Sequence, residues 1–209
     1  MPADAGAGRQ VTTRGGRWLD RDAATQALAD GQVVLLNTDT LPGLHARLDR
    51  PEALDRVAEL KGRAPDKPLL VLASSGADAL PLLARTNEPC LDYMRRCWPG
   101  PFTLILPGAS WLPGAVRSAT GTVAVRVPGR DALRQLLTNT GPLASTSANA
   151  AGDAPATTLA DAVSRFPGLG AWDDGQGDGL DAASAIIALG EDGPRVLREG
   201  PAAPPAWRP

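Results

Sequence analysis

Aromatic residues are scarce, at 4% of 209 residues. A surface that binds single-stranded nucleic acid by stacking bases on rings is disfavoured accordingly. Histidine occurs once, at His45. A hydrolytic triad would have to be built on it, and no GxSxG elbow is present to carry a nucleophile. Neither GxxxxGKS/T nor GxGxxG occurs, which removes the common nucleotide-binding signatures. The only cysteines, Cys90 and Cys97, lack CxxC spacing and read as buried free thiols rather than as a metal site or a disulfide. No close Cys/His/Asp/Glu cluster suggests a structural zinc, and no protein-held metal is expected. No apolar run approaches membrane-spanning length, and the amino terminus lacks the basic start and apolar run of a signal peptide, so a cytoplasmic protein with no membrane contact is expected. Basic and acidic residues nearly balance, 21 against 23, for a net charge of -2. The chain is not globally a nucleic-acid glue, although a cleft can focus potential whatever the total charge.

Glycine (23) and proline (20) are plentiful, so short elements and tight turns are expected. Residues 1–16 read as a small, polar, mobile tail, 17–200 as one domain and 201–209 as a Pro/Ala-rich tail. Asp22 to Ala29 has helical composition with an acidic start, and Gly31 would end it. Val33 to Leu36 suits a strand buried on both faces. Pro51 to Leu60 reads as a helix with Pro in its first turn. Leu69 to Ala73, Phe102 to Leu106 and Val123 to Val127 read as strands, and 76–97 as two helices broken near Pro89. Trp98-Pro99-Gly100-Pro101 makes a corner. Asp131 to Leu137 is helical and Pro142 to Ala144 a short strand, after which comes a hydroxyl-rich loop. Thr157 or Thr158 caps a helix running to Phe166. Asp173 to Asp181 reads as a mobile acidic surface loop, and Ala183 to Ala188 and Arg195 to Arg198 as final strands. Interleaved strands and helices, with helix-free pairs near 102–127 and 184–198, favour a mixed α/β sheet.

Two polar clusters stand out. Gly141 to Gly152 places Ser145, Thr146, Ser147 and Asn149 within five positions, and Lys61, Arg63 and Lys67 gather between apolar runs. Taken alone, the first reads as an ordinary Ser/Asn turn and the second as a solvated helix end facing the negative end of the dipole. Together they could hold an anion. Asn37 to Gly43 sets polar side chains at the end of a strand, where ligands sit in open α/β sheets. Arg126 sits among apolar neighbours and faces either solvent or a cleft. For His45 a packing or surface role is favoured over that of a general base. This inventory suits chemistry done by position and charge on a polyphosphate, with no covalent nucleophile.

The ordered set of these segments resembles the YrdC/Sua5 family of threonylcarbamoyl-AMP synthases, and in length the short bacterial form. The matching pieces are Asn37-Thr38-Asp39-Thr40-Leu41-Pro42-Gly43-Leu44, Leu60-Lys61-Gly62-Arg63-Ala64-Pro65 with Lys67-Pro68-Leu69, Trp98 to Leu104, Val123 to Pro128 and Ser145 to Asn149. A weaker match closes the set at Ser184 to Ile187 and Val196 to Gly200. The resemblance implies a twisted mixed α/β sheet with flanking helices around a concave basic cavity, the YrdC/RibB-like fold. It also implies conversion of ATP, L-threonine and bicarbonate to threonylcarbamoyl-AMP and pyrophosphate, a nucleotidyl transfer with Mg²⁺ bridging phosphate oxygens, on the path to the t6A modification of tRNA. By motif, Lys61, Arg63, Ser147 and Asn149 would hold the ATP phosphates and the reacting carboxylate, and Ser184 and Arg198 the nucleotide. Thr38 and Thr40 would line the threonine and bicarbonate end, with Lys67, Arg126 and Ser145 as further substrate contacts.

The chain departs from the family pattern at several places. Asn37, Asp39 and Pro42 replace Pro, Glu and an aromatic in the first motif, and His45 replaces a small residue. Ala151 replaces a Ser, while Ala185 and Ala188 replace a Thr and an Asp. These changes gather towards the threonine end and one nucleotide contact, whereas the phosphate-binding signature survives. Two other readings follow: a YciO-like paralogue that binds nucleotide but uses another acceptor, or a non-catalytic module binding tRNA or other RNA. Proteins of the downstream t6A transfer are the expected partners of the synthase.

Overall fold

The structure, a computed structural model, describes residues 10–13, 16–62 and 67–209. In chain order its elements are β1 (Gln10–Thr13), β2 (Gly16–Leu19), α1 (Arg21–Ala29), β3 (Val34–Leu36), β4 (Gly43–Arg47), α2 (Pro51–Lys61), β5 (Leu70–Leu72), α3 (Gly76–Ala79), α4 (Glu88–Cys97), β6 (Phe102–Pro107), β7 (Thr122–Arg126), α5 (Asp131–Thr140), β8 (Leu143–Ser147), α6 (Leu159–Arg165), β9 (Gly170–Trp172), β10 (Ala185–Gly190) and β11 (Gly193–Arg198). All eleven strands belong to one sheet, in the order β1-β2-β9-β3-β4-β8-β5-β7-β6-β10-β11. The sheet is mixed. β9 lies parallel to both β2 and β3, β4 is antiparallel to β3 and β8, and β10 is parallel to β6 but antiparallel to β11.

Strand alternation divides the core. Val34 and Leu36 face one layer with Leu28 of α1 and Leu133, Leu136 and Leu137 of α5, whereas Leu35 faces the other with Val57 of α2, Tyr93 of α4 and Val163 of α6. All three residues of β3 are buried, as a continuous apolar run requires of a strand covered on both faces. Asp20 caps α1 by accepting from the Ala23 amide at 2.8 Å. At the end of α2, Gly62 adopts a left-handed φ of 55°, which terminates the helix.

Several expectations are corrected. The hydroxyls of Ser145, Thr146 and Ser147 lie in β8 rather than in a loop, because that segment pairs with β4 and, at Ser145, with β5. Gln10–Thr13 pairs with β2, so part of the expected amino-terminal tail is a strand; residues 1–9, 14 and 15 lie outside the described residues. Two helices do fall within 76–97, with the break at 83–87 just before Pro89. Pro89 itself occupies the first turn of α4, where Asn87 accepts from the Cys90 amide at 3.0 Å and a missing proline N–H costs nothing. In 201–209, Ala202 and Trp207 pack against the core, and the Trp207 ring lies 5.8 Å from that of Tyr93. β4 and β9 are strands where none was expected. Cys90 and Cys97 are buried free thiols, as expected.

Candidate active site

Five adjacent strands supply side chains two residues apart, hence from one face of the sheet: Ser145 and Ser147, Leu70 and Leu72, Ala124 and Arg126, Thr103 and Ile105, and Ser184 with Ile186. Helices α1 and α5 cover this face as far as Leu72 and Leu143. Beyond that pair it is open and forms the wall of a cavity of about 500 Å³. Thr38 and Thr40 from the β3–β4 turn, Lys61 from the end of α2 and Arg198 from the end of β11 complete it.

Lys61 lies inside the last turn of α2 and is 6% exposed, so it is not a solvated helix end. Its ammonium donates to Ser147 O at 2.8 Å, to Ser147 Oγ at 3.2 Å and to Asn149 Oδ1 at 2.6 Å. Ser147 Oγ in turn donates to Asn149 Oδ1 at 2.6 Å, while Asn149 Nδ2 donates to the carbonyls of Ala150 and Asp153. Asn149 is therefore a buried clamp on the lysine, and Ser147 and Lys61 are the members of this cluster that face the cavity.

Arg126 points into the cleft, not to solvent, and is 3% exposed. Its guanidinium donates to Gly100 O at 3.0 Å, to Thr40 Oγ1 at 2.7 Å and to Asp39 Oδ1 at 2.5 Å. Thr38 Oγ1 donates to Leu41 O at 2.8 Å, which uses its only proton. The 2.9 Å contact between the two threonine hydroxyls therefore has Thr40 as donor, and the chain runs Arg126 to Thr40 to Thr38 to Leu41. Across the cavity, Arg198 donates twice to Ser184 O, at 2.8 and 3.1 Å, and Ser184 Oγ meets Thr103 Oγ1 at 2.8 Å. Burial, and after it the positive charge of Arg126, push Arg198 below the ordinary guanidinium range.

Ser145 Oγ lies 3.1 Å from Nε2 of His45, which is fully buried. Burial lowers the pKa of this histidine to about 4, so it is neutral at pH 7 and packs behind the wall without titrating there. Among the described residues Lys61, Arg126 and Arg198 line the cavity and no carboxylate does; Asp39, beside it, is tied to Arg126. This excess of positive charge, buried at Lys61 and Arg126 and exposed at Arg198, fits a polyanion.

The structure thus brings together Thr38, Thr40, Lys61, Arg126, Ser145, Ser147, Ser184 and Arg198, with Asn149 behind them. Lys67 is exposed and is not part of the wall. Arg63 lies outside the described residues. Thr103, Ile105 and Ala124 escaped attention; their signal is period two within β6 and β7, in register with Arg126. Among the described residues no cluster of His, Cys, Asp or Glu could hold a metal ion, and no helix is long and apolar enough to cross a membrane.

The family model Sua5_yciO_yrdC, described as "Telomere recombination", matches residues 26–200. A threonylcarbamoyl-AMP synthase of Bacillus subtilis is 33% identical over 184 residues, 85% of this chain and 52% of that protein. Sua5 of Pyrococcus abyssi, solved in complex with L-threonine, superposes with a TM-score of 0.79 at 31% identity, covering 86% of this chain and 53% of the other. The chain therefore spans about half the length of each of these two relatives. YciO of E. coli shares the fold, with a TM-score of 0.76 at 21% identity over 88% of this chain and 90% of its own. The match across 26–200 and the superposition on Sua5 agree: the chain belongs to the Sua5/YciO/YrdC family.

Proposed function

We propose that this chain is a nucleotidyltransferase, an L-threonylcarbamoyladenylate synthase that converts ATP, L-threonine and bicarbonate to threonylcarbamoyl-AMP and pyrophosphate, in the cytoplasm and upstream of tRNA t6A formation. The observation that carries this reading is a cavity of about 500 Å³ lined, among the described residues, by Lys61, Arg126 and Arg198 and by Thr38, Thr40, Ser145, Ser147 and Ser184, with no carboxylate among them. The relatives named for this activity, and the L-threonine complex of one of them, support it.

The threonine amine takes up bicarbonate with loss of water to give a carbamate. A carbamate oxygen then attacks the α-phosphorus, the bond to the β-phosphate oxygen breaks and pyrophosphate leaves. Lys61, held in place by Ser147 and Asn149, presents a fixed positive charge to the phosphate oxygens, and such preorganised charge lowers the barrier without a protein nucleophile. Arg63, by the family motif, adds a second cation at that end. Arg126, held by Asp39 and Thr40, faces the amino-acid end, where a guanidinium suits a carboxylate. Arg198 and Ser184 stand on the nucleotide side. Among the described residues the cavity wall offers no carboxylate to ligate Mg²⁺. Mg²⁺ enters with ATP as its phosphate complex, and no step is assigned to a protein-held metal.

The test is pyrophosphate release by the purified protein with MgATP and bicarbonate, with and without L-threonine, and mass detection of the adenylate. Release that requires both threonine and bicarbonate is expected. ATP binding that ignores threonine would overturn the substrate assignment in favour of a nucleotide-binding paralogue. Pro42, on the cavity wall in place of the family's aromatic, is where such a change of acceptor would arise.

A further inference from the structure

The segment from Asp173 to Asp181, acidic and glycine-rich, is tied down along its length instead of being a mobile surface loop. Arg130, just before α5, grips Asp174: Nε lies 2.5 Å from Oδ2, and Nη2 also contacts Oδ1. The two side chains are only 5% and 3% exposed. Burial alone would raise the pKa of Asp174, but the Arg130 guanidinium and the Gln176 amide more than offset this and hold it below the usual carboxylate range. Arg130 Nη2 also donates to Gly177 O at 2.7 Å. Further along, Asp178 Oδ1 accepts from the Leu159 amide at the start of α6 at 3.0 Å. The Leu180 amide donates to Asp39 O at 3.2 Å. Between these last two anchors, Gly179 lies so close to the first motif that a Cβ there would overlap the carbonyl oxygens of Thr38 and Thr40.

The segment therefore presses on the backbone that carries Thr38, Asp39 and Thr40. Those residues set the hydroxyl chain and the carboxylate that orient Arg126. The Lys61–Ser147–Asn149 cluster hangs from α2 and the end of β8, and the hydrogen bonds named for it above run within the cluster and to Ala150 and Asp153. We propose that Arg130 and Asp174 are positioning residues that clamp Gly177–Leu180 onto the first motif and preorganise the amino-acid end of the cavity, leaving the phosphate end independent of them. The substrate named here rests on the synthase reading. The clamp itself rests on the contacts.

Bidentate geometry is what lysine cannot reproduce, so Arg130→Lys keeps the buried charge but loosens the clamp. Gly179→Ala leaves the ion pair intact and lifts the segment from the other side. For both full-length variants, the KM for L-threonine in pyrophosphate release should rise about tenfold or more, while the KM for ATP stays within about twofold. Amide hydrogen exchange at Thr40 and Leu180 should quicken about tenfold. An unchanged KM for threonine, an equal rise for ATP, or exchange as slow as in the wild type would each overturn the proposal. A wild type that ignores threonine removes the reaction proposed above and not the clamp, which exchange at those two amides and ATP affinity then decide by the same criteria.

Discussion

Lys61 and His45 are both buried polar side chains, and the difference between them lies in their partners. The ammonium of Lys61 meets two oxygens of Ser147 and one of Asn149, which hold it at the cavity wall. Removing it should abolish a contact aimed at developing negative charge. Lys61→Ala is expected to lose on the order of 10²-fold or more in kcat/KM for pyrophosphate release, and turnover near wild type would sink the role assigned to it. Arg63→Ala is expected to behave alike, on the strength of the family motif. His45 instead pays for its burial by staying neutral, with a pKa of about 4 against 6.5. Since its folded pKa is depressed, the unfolded chain takes a proton that the native state refuses. The associated stability is intact above about pH 6.5 and declines as pH falls towards 4, by on the order of 3 kcal/mol. Urea midpoints at pH 7 and pH 4.5 should therefore separate by more in the wild type than in His45→Gln. Equal pH dependence in the two proteins would show that His45 is not the titrating group.

At the scale of elements, capping decides where α6 can start. Thr158 accepts from the Asp161 amide at 3.1 Å, and Asp178 serves the Leu159 amide beside it. Thr158→Ala should cost about 1 kcal/mol in urea denaturation, and no measurable loss would mean that Asp178 alone satisfies the turn. This cap was legible in the sequence, as were α1, α2 and the buried run of β3, because each depends on neighbours along the chain. β8 was not. Its Ser-Thr-Ser composition reads as a turn, and only its pairing with β4 and β5 makes it a strand. β4 carries His45 and Arg47, whose polarity hides a run that is otherwise buried. β9 has three residues, too few for any periodicity, and exists because β2 and β3 flank it. Asp174 looked solvated for the same reason: Arg130, its partner, lies 44 positions away. The site was legible where chemistry and local motif coincide, at Lys61, Ser147 and Arg126. It was illegible where residues serve by position, as Thr103 and Arg130 do.

For the whole molecule, the decisive fact is where the charge sits. A net charge of -2 surrounds a cavity whose wall carries Lys61, Arg126 and Arg198, the first two almost fully buried. An exposed basic face would bind any polyanion, with affinity falling steeply as salt rises. Cations set into a cavity wall, as Lys61 and Arg126 are, favour an anion small enough to reach them. MgATP at a hundred times its Kd should stabilise the fold by about 2.7 kcal/mol, a rise in Tm of roughly 5 to 10 °C for a chain of this size. In Lys61→Ala the rise should shrink, since binding loses one of its fixed donors. A short RNA at the same charge concentration should leave Tm unchanged and should not displace nucleotide. If RNA instead raised Tm at low salt and competed with ATP, the cavity would be open to a phosphate backbone, and the RNA-binding reading would displace the synthase.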